Sequence, residues 1–97
     1  MRKLTSKAVS KFLSNTPFRQ GNTEVTIDDG ITYLKLHGNK IAALFNDGLW
    51  ISNAGWFSNT TKERLNALPN VKIHQVNWNW FLNGSKWDGT PIYIGKI

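Results

Sequence analysis

The side chains that could carry acid–base or metal chemistry are six carboxylates and two histidines in a chain of 97 residues. Four of the carboxylates stand in turn sequences, where Asp hydrogen-bonds nearby backbone groups: Asp28, Asp29, Asp47 and Asp88. Glu63 follows Thr60 at the spacing of a capping box, so its carboxylate is expected to bind the start of a helix. Only Glu24 then has no structural assignment. A pair of catalytic carboxylates or an acidic Mg²⁺ site is therefore not expected.

The two histidines, His37 and His74, lie far apart in the sequence, and the chain has no Cys to complete a metal site with them. His37 precedes a glycine and is expected in a turn, and His74 is expected in a strand. No phosphate-binding loop, dinucleotide fingerprint or nucleophile elbow occurs. We therefore expect a protein that is not an enzyme and that uses neither a metal nor a cofactor.

Positive charge is the strongest signal in the composition. Twelve Lys and Arg against six Asp and Glu give a net charge of +6, and the N-terminal part is basic up to Glu24. Such a field attracts polyanions, which include nucleic acid and acidic protein surfaces. Lys3, Lys7 and Lys11 recur every four residues, which would align them along one flank of a helix. Together with Arg19 they are candidate phosphate contacts, and a solvated helix face is the alternative.

A second candidate for anion binding is the segment of residues 58–62, at the start of the helix that Thr60 is expected to cap. Helix N-termini present free N–H groups and partial positive charge, and Lys62 and Arg64 would add two cations nearby. Plain capping by Thr60 and Glu63 is the alternative, because it explains the same residues without a ligand.

Aromatic residues are dense late in the chain. Trp78 and Trp80 are two residues apart, so a single strand would place both on one face, with Phe81 on the other. Aromatic side chains exposed near Lys72 and Lys86 would suit base stacking or a protein interface. Packing in the core of a small protein without disulfides is the alternative.

Two short helices are predicted from capping signals and apolar spacing. The first begins with Thr5 as its cap and ends at about Ser14. The second begins with the capping box at Thr60, runs for about two turns, and buries Leu65 and Leu68 on its apolar face.

Strand patterns fill the rest of the chain. Before the second helix, four strands are separated by turn pairs that contain Gly: residues 24–27, 31–36, 41–45 and 49–52. After it, three more stretches are extended, the second as one continuous strand: residues 71–73, 75–82 and 92–94. These elements predict an α+β fold, in which an antiparallel sheet of about five to seven strands, a meander plus a C-terminal hairpin, packs against two short helices.

Length and composition limit the remaining possibilities. At 97 residues with 40% hydrophobic content, a single domain over residues 1–97 is expected. The absence of Cys fits a reducing cytoplasm. Lys and Ser interrupt the apolar residues of the N-terminus, so neither a signal peptide nor a membrane segment is predicted.

Three motifs carry a resemblance to a known family: LHGNKIA, AGWFSNTTKERLNALPNV and FLNGSKWDG. The chain resembles a family of small proteins from tailed bacteriophages, and the resemblance covers nearly the whole sequence. It implies a phage origin and a location in the host cytoplasm, and it implies no activity.

The residues and the resemblance together leave two functions open. The first is a phage accessory protein that is not an enzyme and that binds nucleic acid, with the basic N-terminal residues on phosphates and Trp78 or Trp80 stacking on bases. The second is a phage protein that binds and modulates an acidic host protein through an aromatic surface patch. A membrane partner is not expected in either case.

Overall fold

Two helices and nine strands are present in the computed structural model, which describes residues 2–97. The helices are Lys3–Leu13 (α1) and Asn59–Asn66 (α2). The strands, in chain order, are Phe18–Gln20 (β1), Thr23–Asp28 (β2), Ile31–Leu36 (β3), Asn39–Phe45 (β4), Gly48–Ile51 (β5), Ile73–Val76 (β6), Asn79–Leu82 (β7), Ser85–Lys86 (β8) and Ile92–Gly95 (β9).

The strands form two antiparallel sheets. A six-stranded sheet has the order β1-β2-β3-β4-β5-β9, and a separate three-stranded sheet has the order β6-β7-β8. Strands β2 to β5 are the predicted four-stranded meander, since consecutive strands joined by tight turns pair with each other, and β1, which was not predicted, extends it beside β2. The α+β prediction with two short helices is therefore confirmed.

The C-terminal part departs from the predicted single sheet, because β6, β7 and β8 form a sheet of their own and β9 pairs with β5. Residues 75–82 were expected to form one strand, but the chain reverses at Asn77 and Trp78, both of which have positive φ angles, 48° and 71°. Val76 pairs with Asn79 across this two-residue turn, so β6 and β7 form a hairpin. The prediction of one continuous strand is wrong because this left-handed pair closes the hairpin without the usual glycine.

One face of the six-stranded sheet, called here the inner face, is covered by the helices. Helix α1 packs against β1, β2 and β3, and α2 packs against β4 and β6. Cross-strand partners on this face, Val25, Leu34, Ala42 and Ile51, are all buried. Full burial of an aliphatic or aromatic side chain contributes about 1.5–3 kcal/mol to stability. The main core therefore lies between the helices and this face.

Both helices begin differently from the prediction. Helix α1 starts at Lys3 after an extended Arg2, and Thr5 lies buried inside its first turn instead of capping it. Helix α2 is capped by Ser58, whose hydroxyl accepts the N–H of Thr61 at 3.1 Å. The predicted capping box of Thr60 and Glu63 is wrong. A helix of about two turns is confirmed, and it buries Leu65, whereas Leu68 is buried just beyond its last residue.

Instead of capping its own helix, Glu63 belongs to a buried network that joins α1, α2 and β2. Its carboxylate accepts a hydrogen bond from Thr5 of α1 at 2.5 Å and forms an ion pair with Arg64. The Arg64 guanidinium donates to Thr5 and, at 3.2 Å, to Thr23 of β2. Burial raises the pKa of Glu63, but the hydrogen bond from Thr5 and the charges of Arg64 and Arg2 outweigh this effect and lower it overall.

The capping geometry predicts different effects at two neighbouring hydroxyls. Ser58→Ala removes the oxygen that accepts the Thr61 N–H and should lower the free energy of unfolding by about 0.5–2 kcal/mol. Thr60→Ala should change it by less than about 0.5 kcal/mol, because the cap does not use this hydroxyl. Urea unfolding of both variants measures the difference. A larger loss for Thr60→Ala would contradict the cap assignment.

The buried network predicts that a substitution of Glu63 destabilises the protein by an amount that depends on pH. At pH 7, Glu63→Gln should lower the free energy of unfolding by about 1.5–3 kcal/mol, because Arg64 keeps its charge and loses its carboxylate. The carboxylate is stabilising above the unfolded-state pKa of about 4.3, and its contribution is lost as the pH falls through the lower folded-state value.

Urea unfolding at pH 7 and at pH 3 checks this sign. The difference between wild type and Glu63→Gln should shrink at the lower pH. Glu24→Gln is the matched control, because every ion pair within 4.0 Å among residues 2–97 involves Glu63. Equal losses in the two variants would show that the network is not the origin of the effect.

Candidate nucleic-acid interface

The outer face of the six-stranded sheet is the side opposite the helices, and strand alternation determines what it presents. In β3, Thr32, Leu34 and Leu36 are buried, whereas the residues between them are half-buried. Successive side chains of a strand point to opposite faces, so Tyr33 and Lys35 belong to the outer face. The tight turns of the meander then determine which residues of the neighbouring strands lie beside them.

A row of mainly aromatic side chains crosses this face, perpendicular to the strands. The register pairs Thr26 with Tyr33, Tyr33 with Ala43, Ala43 with Trp50, and Trp50 with Tyr93. The rings of Trp50 and Tyr93 are 5.5 Å apart and inclined by 52°. These two side chains are 38% and 43% exposed, so a substantial part of each ring is accessible to a ligand. We call these five residues the aromatic row.

Tyr93 reaches the row because β9, from the end of the chain, is held beside β5. The Tyr93 hydroxyl donates a hydrogen bond to the carbonyl of Asp47 at 2.5 Å. Gly48 permits the close approach, since a Cβ atom there would lie 2.4 Å from the carbonyl oxygen of Gly95. At the other end of β5, the Asn53 N–H donates to the carbonyl of Gly89 at 2.9 Å. The last strand is thus fixed at both ends.

A row of charged residues runs parallel to the aromatic row on the same face. The register pairs Arg19 with Glu24, Glu24 with Lys35, and Lys35 with Lys40. We call these four residues the basic row, because three cations stand against one anion. Among residues 2–97, none of the three cations forms an ion pair within 4.0 Å. Their charges are therefore available to an external anion.

Lys40 reaches the outer face because of a bulge in β4. Leu34 pairs with Ala42 but Lys35 pairs with Lys40, so Ile41 is an extra residue on the bulged strand. Ile41 and Ala42 are both buried in the core as a result. The Lys40 ammonium lies 4.0 Å from the centre of the Tyr33 ring, a cation–π contact between the basic and aromatic rows.

A shallow apolar groove lies where the two rows meet, with a volume of about 370 Å³. Tyr33, Ala43 and Trp50 line it, and Lys40 stands at its rim. Tyr33 and Trp50 are two strands apart, which is roughly 10 Å by the usual strand spacing. The small side chain of Ala43 between them leaves the groove open.

The predicted basic residues of the N-terminus divide between two surfaces. Lys3 and Lys7 are exposed and Lys11 is half-buried on α1, which lies on the inner side of the sheet. The Lys7 ammonium lies 5.9 Å from the ring of Phe18. Arg19 is exposed on β1 and belongs to the basic row of the outer face. The four residues thus do not form one strip.

The predicted anion site at the start of α2 is not formed by Lys62 and Arg64 together. Arg64 is 0% exposed and is held by the buried network, so its assignment as a polyanion contact is wrong. Lys62 is half-buried and donates from its ammonium to the side-chain oxygen of Gln75 at 2.6 Å. Arg64 cannot join Lys62 at the surface because its guanidinium is buried in an ion pair with Glu63.

The two tryptophans predicted to share a strand face are also separated. Trp80 is 1% exposed, with Phe57 packed edge-on to its ring at 5.1 Å, so its assignment as a surface contact is wrong. Trp78 is 90% exposed. The hairpin turn at Asn77 and Trp78 breaks the alternation of a single strand and carries the second ring out of the core.

The chain matches one known family over its full length. A family model described as Kyanoviridae Gp96 protein matches residues 1–97. The chain belongs to this phage protein family. No curated protein and no solved structure gives a significant match. Family membership confirms the phage resemblance of the sequence motifs and names no activity, so the site itself has to supply the functional argument.

Other features of this phage protein do not form a competing site. Among residues 2–97, no group of three or more His, Asp or Glu side chains is placed to hold a metal ion. Hydrogen bonds from the hydroxyl and the N–H of Thr90 lower the pKa of Asp88, which fits its predicted place in a turn. No helix in the described part of the chain is long and apolar enough to cross a membrane.

The residues of the two rows that sequence reasoning missed are Tyr33, Lys35, Lys40, Trp50 and Tyr93. Period-two alternation and the turn after Asp28 would have placed the first two on one face. Trp50 would have followed from alternation and the turn at Asp47 and Gly48. Lys40 depends on the bulge in β4 and Tyr93 on the pairing of β9 with β5, for which the sequence carries no local signal.

Proposed function

We propose that this phage protein binds single-stranded nucleic acid on the outer face of its six-stranded sheet, in the host cytoplasm and without catalysing a reaction. The observation that carries the proposal is the aromatic row lying beside the basic row on one uncovered face. Proteins that bind single strands combine aromatic side chains, on which bases stack, with cations that follow the phosphates.

The cross-strand pair of Lys35 and Lys40 supports an anionic partner. Like charges directly opposite each other destabilise a sheet. Here they face each other in a protein of net charge +6, with only Glu24 as a neighbouring anion in the row. Phosphate groups bound at this position would relieve the repulsion.

The accessible rings of the aromatic row favour a single strand over a duplex. In a duplex, base faces are stacked on each other and are not accessible to a protein surface. The rings of Tyr33, Trp50 and Tyr93 lie on a sheet, where splayed bases can reach them. The groove above Ala43 offers a place for one base against Trp50, with the Lys40 ammonium near its phosphate.

A host protein is the second candidate partner, and one observation favours it. Trp56 and Phe57, in the loop before α2, are both more than half exposed. Exposed aromatic side chains of this kind anchor protein interfaces. An acidic host protein would be attracted by the same net positive charge.

The location of the site is tested by two variants with the same change in charge. Lys35→Gln/Lys40→Gln removes two cations from the basic row, whereas Lys3→Gln/Lys7→Gln removes two from α1. The first variant should weaken binding of a 20-nucleotide single strand at low salt about tenfold or more, and the second should have little effect. Fluorescence anisotropy measures the affinities.

Salt dependence and three further outcomes complete the experiment. With three phosphate contacts, the log–log salt slope of the wild type should be about −2, and Lys35→Gln/Lys40→Gln should reduce its magnitude by about 1.4. A loss confined to Lys3→Gln/Lys7→Gln would place the strand on α1, as the sequence alone suggests. Tighter binding of duplex than of single strands would contradict base stacking. No binding to any oligonucleotide below about 10 μM at low salt would favour the host protein.

Binding of a base in the groove can be tested by a substitution that changes neither a charged residue nor an aromatic one. Ala43→Leu fills the space between Tyr33 and Trp50 and should weaken single-strand binding about fivefold or more, which corresponds to one lost base stack. Thr26→Leu is the matched control, since it adds apolar bulk to the same row outside the groove. Equal affinities for Ala43→Leu and Thr26→Leu would exclude the groove as a base site, and thermal melting checks that both variants fold.

A further inference from the structure

The tip of the β6–β7 hairpin holds a large side chain in a backbone conformation that suits glycine. Asn77 and Trp78 both have left-handed φ angles, the pattern of a type I′ turn, in which Asn-Gly is the favoured sequence. For a bulky residue such as Trp, a positive φ is unfavourable. Trp78 therefore destabilises its own turn relative to Gly.

Among residues 2–97, the Trp78 side chain makes no hydrogen bond or ring contact that would compensate for this unfavourable backbone. Trp78 is 90% exposed, more than any other large hydrophobic side chain among residues 2–97. Strained residues persist where the surrounding structure or a function requires them, and the surroundings here are solvent. A partner outside the chain is the remaining source of a compensating contact.

The chemistry around the tip indicates what that partner is. The chain has no carboxylate between Glu63 and Asp88, a stretch that contains the whole three-stranded sheet. Beside the tip, the Lys62 ammonium donates a hydrogen bond to Gln75, and Asn77 and Asn79 stand on either side of Trp78 in the chain. Amide side chains can pair with base edges, and Lys62, which forms no ion pair within 4.0 Å among residues 2–97, keeps a charge that suits phosphate.

We infer that Trp78 is a second contact for nucleic acid, at which the indole stacks on an unpaired base while Lys62 faces the backbone phosphates. The inference rests on the proposed function, because it assigns this residue to the same single strand that the outer sheet face binds. It places one strand on two separate surfaces of the protein.

Three substitutions at one position separate ring stacking from stability. Trp78→Gly should raise the melting temperature by about 4 °C or more, because Gly adopts the left-handed turn freely. The same variant should weaken binding of a 20-nucleotide single strand about fivefold or more, because one base stack is lost. Trp78→Phe keeps a ring and should stay within about threefold of wild type, whereas Trp78→Leu keeps apolar surface without a ring and should weaken binding like Trp78→Gly.

The outcomes distinguish this inference from the proposed function. Wild-type affinity in Trp78→Gly, with weakened binding in Lys35→Gln/Lys40→Gln, would overturn the inference alone and leave the hairpin to a protein partner. Weakened binding in Trp78→Gly, with wild-type affinity in Lys35→Gln/Lys40→Gln, would support Trp78 and overturn the sheet-face site. Equal affinities of Trp78→Leu and wild type would overturn base stacking. A melting temperature that does not rise in Trp78→Gly would overturn the argument from the turn.

Discussion

The buried guanidinium of Arg64 is the interaction on which the arrangement of the layers depends. It reaches from α2 to Thr5 of α1 and Thr23 of β2, and its charge is balanced by Glu63. A buried cation is tolerated only when it is paired and hydrogen-bonded, so these partners have to stay together. Because the partners lie on both helices and on one strand, the network holds both helices on the same face of the sheet.

Covering one face of the sheet leaves the other free for function. An antiparallel sheet buries one side and can present the other to solvent. On the free side, the aromatic row and the basic row are consequences of strand register, since each member is a direct cross-strand partner of the next. A shift of one residue in any pairing would move an entire set of side chains to the opposite face.

The bulge at Ile41 shows that one extra residue in a strand changes which side chains face the core and which face solvent. With regular alternation from Ala43, Ile41 would point outward and Lys40 would point into the core. The extra residue instead buries Ile41 and places Lys40 over Tyr33. An apolar side chain enters the core and a cation reaches solvent, so both changes lower the free energy of the fold, and the same step creates the rim of the groove.

Features that depend on near neighbours in the chain were predictable without the structure. Strand alternation and turn pairs predict the meander, apolar spacing predicts the short α2 with Leu65 buried, and the motifs indicate the phage family. These signals are reliable because backbone sterics and side-chain periodicity act over a few residues. Charge and aromatic content likewise pointed to a polyanion or a protein surface, without assigning the residues that form it.

Which of those residues reach the surface depends on how the whole chain packs. Arg64 and Trp80 look like ligand contacts in the sequence, yet one pairs with Glu63 inside the protein and the other fills the core. Trp50 and Tyr93 meet only because strands far apart in the chain pair with each other. Burial and long-range pairing depend on packing of the whole chain, and no local pattern carries that information.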